Sequence, residues 1–245
     1  MAAPRLAQQR AELVKQSEQA GASDWMRQQI EALPPAYLDG STNSSILNDL
    51  SRLRELPRDQ AIAWGRYLPE RSVAEYTVGV YEDRAHGIFH RLTGALASQG
   101  LEVLAAEIHS LADRLCLDRF YVQDNDYRGQ PPEDRFEAVS RCLVKSLVDD
   151  DGSKPTFRRV WQQRWGAEPI DLALMPTKVR IDNTTSDLFS IIDIFTHDRP
   201  GLLYTISRAL FGLKLSVKSA RIGTYLDQVV DVFYVTEATG EKIQS

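Results

Sequence analysis

The chain has 245 residues, of which 43% are hydrophobic, enough for one or two domains with a sizeable core. Its formal charge of -5 comes from interspersed acids and bases, with no Lys/Arg cluster threaded by aromatics, so no nucleic-acid-binding footprint is present. No apolar run approaches a membrane span and the polar start MAAPRLAQQRAELVKQSEQ lacks a signal-peptide core, so a cytoplasmic protein with no membrane association is expected.

Residues 1–22 are rich in Gln, Ala, Glu and Arg and read as a solvated helix ending at Gly21. Ser23 or Asp24 can cap a second helix carrying Trp25, Met26, Ile30 and Leu33, which Pro34-Pro35 ends. After the turn-prone DGSTNSS, Ile46, Leu47, Leu50, Leu53 and Leu56 predict another helix, and Ala61, Ile62, Trp64 and Tyr67 a further one. Cys116 and Cys142 have no His or Cys nearby at metal-ligand spacing and read as reduced core thiols rather than a disulfide or metal pair.

The character changes at Glu75. Tyr76, Val78 and Val80 mark a strand, EDRAHG a turn, and Ile88, Phe89, Leu92, Ala95 and Leu96 a helix that stops at Gly100. Strands are expected over 102–111 and 114–123, a loop at DNDYRGQPP and an amphipathic helix over 134–148. The acidic run Asp149-Asp150-Asp151 lacks the other ligands of a calcium loop and reads as a solvated helix exit. A short helix over 156–165, an irregular connection over 169–176 and a strand over 178–181 follow.

Residues 191–217 repeat the strand-turn-helix. Ile191, Ile192, Ile194 and Phe195 run into Asp198-Arg199-Pro200-Gly201, and a helix follows at once with Leu202, Leu203, Ile206, Ala209, Leu210 and Leu213 on one face. Proline suits a helix start, and glycine lets another group approach the backbone closely. The free amides and positive dipole end there offer a place for a carboxylate. Strands are expected over 216–224 and 229–236.

Superposing the two stretches equates Asp83-Arg84 with Asp198-Arg199, Gly87 with Gly201, Leu92 with Ile206, Ala95-Leu96 with Ala209-Leu210 and Leu101-Glu102-Val103 with Leu215-Ser216-Val217. It continues through Ala106 on Ala220, Ile108 on Ile222, Asp113 on Asp227, and Phe120-Tyr121-Val122 on Phe233-Tyr234-Val235. Only single-residue length differences intervene, so the chain holds a tandem repeat of a βαββαβ-type unit.

At these residues the chain resembles the ACT domain, a small ferredoxin-like module that binds amino acids. DRPGLL, PTKVRIDN, DQVVDVFYVTEATGEK and the lead-in ALPPAYL are similar, more narrowly, to the C-terminal region of the bifunctional protein-PII uridylyltransferase/uridylyl-removing enzyme family, bacterial nitrogen sensors. The resemblance implies an α+β chain: a helical lead-in (1–72), a first ACT-like unit (73–150), a connector (151–176) and a second unit (177–245). The second unit stops short of its last helix and strand, which would leave one sheet face to be covered by the segment 160–165 or by a partner subunit.

The resemblance further implies a non-catalytic regulatory module that binds an amino acid, glutamine by analogy, at Asp198, Arg199, Pro200, Gly201, Leu202 and Leu203. A weaker second site falls at Asp83, Arg84, Gly87 and Ile88, where the proline is replaced and the turn is one residue longer. Side-by-side association of ACT sheets implies an intramolecular pair or a homodimer. Alternatives are a piece of a uridylyltransferase whose catalytic domains lie elsewhere, or a ligand-free interaction module. The family is enzymatic, but no nucleophile with a base, phosphate loop or metal cluster can be assembled here. No catalytic residue, metal or cofactor is expected: His86 and His90 lack a third ligand, and His197-Asp198 sits inside a turn.

Overall fold

The computed structural model describes residues 2–19, 21, 23–83, 86–149, 176–197, 199, 201–225 and 228–244. Four helices come first: α1 (Ala2–Gln19), α2 (Asp24–Ala32), α3 (Pro35–Gly40) and α4 (Asn43–Leu53). The first repeat comprises β1 (Ala61–Leu68), β2 (Val73–Tyr81), α5 (Ile88–Ser98), β3 (Leu101–Ser110), β4 (Leu115–Asp124) and α6 (Glu133–Val148). The second comprises β5 (Lys178–Asp182), β6 (Ser190–His197), α7 (Leu202–Gly212), β7 (Leu215–Tyr225) and β8 (Gln228–Glu237).

All eight strands form one sheet in the order β1-β2-β4-β3-β7-β8-β6-β5. Every neighbouring pair is antiparallel. The order is a palindrome of two ferredoxin-like halves, so the protein is α+β with a helical lead-in. In each half the outermost strand comes from before the repeat: β1 pairs with β2, and β5 pairs with β6. The strand expected to be missing at the end of the second unit therefore has its place filled by β5.

The halves meet where β3 pairs with β7, through Ala105↔Arg221, Ala106↔Ala220 and Glu107↔Ser219. The repeat equates Ala106 with Ala220, so a pseudo-two-fold axis passes through this pair. The register shifts obey it too, falling between Val103 and Ala105 in β3 and between Val217 and Ser219 in β7. Above the seam α5 packs on α7, where Thr93 and Ser207 share a buried hydrogen bond at 2.9 Å. These hydroxyls are also repeat equivalents, each within bonding distance of the carbonyl three residues back, His90 or Tyr204; with one proton per hydroxyl, the one that donates across the seam gives up its own carbonyl. Thr93→Val should cost about 1 kcal/mol, and the double variant Thr93→Val/Ser207→Ala should lose less than the sum of the singles in urea denaturation. Strict additivity would show that the pair is not coupled.

Two cores lie on opposite faces, and β4 displays the alternation that separates them. Cys116, Phe120 and Val122 join the core under α5, α6 and α7. Leu115 and Leu117 join the core under α1 to α4, with Leu13, Ile30, Tyr37, Ile46 and Leu50. That second core corrects one expectation. Residues 61, 62, 64 and 67 were expected on a helix but form β1, which is covered on both sides: Ala61, Ala63 and Tyr67 face one core, Ile62 and Trp64 the other. A strand apolar on both faces loses its two-residue alternation. Pro35 also opens a short helix rather than only ending one, as the N1 position permits. Thr42 then caps α4 by accepting from the Ser45 amide, so part of the expected turn is helical.

The expected helix over 156–165 lies outside the described residues, as does the connection over 169–175. No helix among the described residues is long and apolar enough to cross a membrane.

Candidate functional site

Both strand-to-helix turns end on a glycine in left-handed conformation. Gly87 has φ 67°, ψ 41° before α5, and Gly201 has φ 74°, ψ 15° before α7. Glycine adopts this region without the cost a Cβ imposes, and at Gly87 a Cβ would also run into the His90 ring. Each glycine carbonyl accepts the first helical bond, from the Arg91 amide at 3.2 Å and the Thr205 amide at 3.0 Å. The Thr205 hydroxyl bonds to the same Gly201 carbonyl at 2.9 Å. The Leu202 amide closes the turn onto the Arg199 carbonyl at 3.0 Å.

At the second turn Arg199 is exposed, Gly201 and Leu203 are half-buried and Leu202 is buried, while Asp198 and Pro200 lie outside the described residues. At the first, Asp83 is exposed, Gly87 and Ile88 are half-buried, and Arg84 lies outside the described residues. The two sets belong to separate turns at equivalent ends of α5 and α7.

In each half the strand paired with the one that leads into the turn carries a buried aspartic acid that sequence reasoning missed. Asp118 lies opposite Val78, three residues from the end of β2, and Asp231 lies opposite Ile194, three residues from the end of β6. Each is 1% exposed. Aligning Phe120 with Phe233 makes them equivalents, so the repeat held the signal. Burial pushes the Asp118 carboxyl up to about 8, with Lys218 opposing the rise and Glu82 adding to it. Its Oδ1 has no hydrogen-bond partner among the described residues. Lys218 belongs to the second repeat and sits at the β7 register shift; its counterpart in the first repeat is Leu104.

Glu82, the residue after β2, gathers neighbouring groups. It accepts from Ser110 Oγ at 3.3 Å, Arg114 Nε at 3.4 Å and the Cys116 thiol at 3.6 Å. Burial pushes that thiol up, and Asp118 and Glu82 add to the effect, so Cys116 stays protonated. Both cysteines are free. His86 is exposed, whereas His90 packs its ring against Phe211 with centroids 4.9 Å apart. Among the described residues no three His, Cys, Asp or Glu side chains converge as metal ligands.

Amide groups at a helix start favour an anion. The described residues form a tandem of two ferredoxin-like units, each with a left-handed glycine opening a helix after a strand. No protein-family model matches the chain. Curated relatives do, and all those compared are named bifunctional uridylyltransferase/uridylyl-removing enzyme. The Rhodospirillum rubrum protein is 32% identical over 248 residues, covering 98% of this chain and 25% of its own length. Those of Gluconobacter oxydans and Azospirillum brasilense are each 34% identical, covering 72% and 71% of this chain and 18% of their own lengths. The chain is a homologue of part of the bifunctional uridylyltransferase/uridylyl-removing enzymes. It spans a quarter or less of the length of these relatives.

Proposed function

We propose that the chain is a tandem ACT module that binds an amino acid and serves as the regulatory part of a uridylyltransferase system. The observation that carries this reading is the twofold recurrence of one arrangement: a left-handed glycine that opens a helix directly after a strand, leaving helix-start amides at the turn. A free amino acid presents a carboxylate, and the amides at the start of each helix complement it. The principal site is the turn of Asp198, Arg199, Pro200, Gly201, Leu202 and Leu203, with Asp83, Arg84, Gly87 and Ile88 as the weaker one. Glutamine is the favoured ligand, by analogy with the nitrogen sensing of the related enzymes. Uridylyl transfer itself would belong to domains outside this chain.

Glutamine at millimolar concentration should raise the thermal midpoint, because a ligand bound only to the folded state stabilises it by about 2.7 kcal/mol at a hundredfold excess over Kd. Gly201→Val, which places a β-branched residue at positive φ, should abolish the shift while the variant still unfolds cooperatively. If none of the twenty amino acids shifts the midpoint, the sensor reading fails and a ligand-free interaction module replaces it.

A further inference from the structure

The contact between Thr93 and Ser207 marks where α5 and α7 cross. The two helices run past it in opposite senses, because His90, one turn before Thr93, meets Phe211, one turn after Ser207. The end of α7 therefore reaches the start of α5, at the first of the two glycine turns.

Phe211 is a large apolar side chain left 44% exposed near the end of its helix. Its ring lies 4.9 Å from that of His90, centroid to centroid, and the pair bears on the backbone of the first turn. A Cβ at Gly87 would run into the His90 ring and would stand 3.2 Å from Phe211 Cε2. Glycine at this place in the repeat allows another group close to the backbone. At Gly87 the groups that have come close are the protein's own two rings, with Phe211 holding His90 down from the opposite helix.

The pseudo-two-fold axis shows that the second turn is built differently. The offset that equates Leu92 with Ile206 and Leu96 with Leu210 also equates His90 with Tyr204 and Ala97 with Phe211. Tyr204 keeps a ring in the first turn of α7. From the opposite helix, however, the repeat supplies only the methyl group of Ala97, which cannot span the distance that a phenyl ring covers.

We infer, resting on the reading of these turns as amino-acid sites, that Phe211 of the second unit closes the first turn, so that each chain holds one open site, at the Gly201 turn. A site whose cover must swing away before ligand enters binds with an affinity reduced by the fraction of time the cover is away. Closure for all but about a hundredth of the time weakens the first turn about a hundredfold, enough to leave it empty while the second fills. One side chain thereby decides which of two turns of the same plan takes ligand.

Equilibrium dialysis of the full chain against radiolabelled glutamine counts the sites. Wild type should saturate at about one glutamine per chain, and Phe211→Ala, alone or with His90→Ala, at about two. Gly201→Val should empty the wild-type site, whereas Phe211→Ala/Gly201→Val should keep about one, that of the first turn. Phe211 is partly exposed at a helix end, so Phe211→Ala should still unfold cooperatively in urea, which separates the opening of a site from loosening of the fold. Saturation at two in wild type, or at one in wild type and both Phe211 variants, would overturn the role of Phe211 and leave amino-acid binding standing. No glutamine bound by wild type or by any variant would overturn both.

Discussion

Replacing Arg119 by methionine should cost about 3–5 kcal/mol of folding stability, the range for breaking a buried ion pair from one side. Arg119, on β4, is 2% exposed and joins the helical lead-in to the sheet. Its Nη2 donates to Asp49 Oδ2 at 2.8 Å and to the Tyr37 hydroxyl at 3.3 Å, while Nη1 donates to Ser41 Oγ at 3.1 Å. The Tyr37 hydroxyl donates to the same Asp49 oxygen at 2.7 Å. Glu75 stands on the other side at 3.8 Å and is itself bonded by Arg66 Nε at 2.7 Å. Methionine keeps much of the volume but leaves Asp49 buried with only a neutral donor. Burial already raises the Asp49 carboxyl above its ordinary value, against the opposing Tyr37 bond and Arg119 charge. Urea denaturation at neutral pH gives the loss, and adding Asp49→Asn should restore part of it. A loss below about 1 kcal/mol, the scale of an exposed pair, would show that the network does not anchor the lead-in.

The second large effect concerns pH. Asp118 has a folded-state carboxyl pushed up to about 8, against about 4 for an unfolded aspartate. The folded state thus holds a proton that the unfolded state has released between these values. Its contribution is fully present below pH 4 and falls through the window to pH 8 by about 1.4 kcal/mol per pH unit at most. The charged groups facing it are Lys218, which limits the rise, and Glu82, which extends it. Asp118→Asn cannot ionise, so its stability relative to wild type should climb from pH 5 to pH 8 and then level off. Urea midpoints across pH 5 to 9 for both proteins test this. A pH-independent difference would mean that Asp118 is ionised throughout.

The same two networks show what the sequence could and could not disclose. The repeat was legible because paired turns, matched apolar spacings and the FYV triplets lie at corresponding intervals, and it leads to the pseudo-dyad at Ala106 and Ala220. Both turn glycines were legible because a strand running directly into a helix demands a special backbone position. Asp118 and Asp231 stood in equivalent places but look like ordinary strand polar residues until burial is known. The Arg119 network was illegible: Arg119 and Asp49 are 70 residues apart, and only folding of the lead-in onto the back of the sheet joins them. β1 was misread because two cores cover it, which erased the alternation that would have marked a strand.

The self-pairing of Ala106 with Ala220 has a wider consequence. A residue that meets its own counterpart on an axis is what a dimer of identical subunits would show, so this chain is a homodimer written into one polypeptide. Covalent tethering replaces free partner concentration by an effective one of millimolar order, and a strand seam of three residue pairs with α5 packed on α7 above it can then suffice. Fusion also releases the halves from having to be identical. Lys218 can reach toward one buried aspartate while Leu104 stands in the matching place of the other half, and Glu107 can differ from Arg221. Two halves that share one plan are thus free to differ, the first receiving at its buried Asp118 a lysine that belongs to the second.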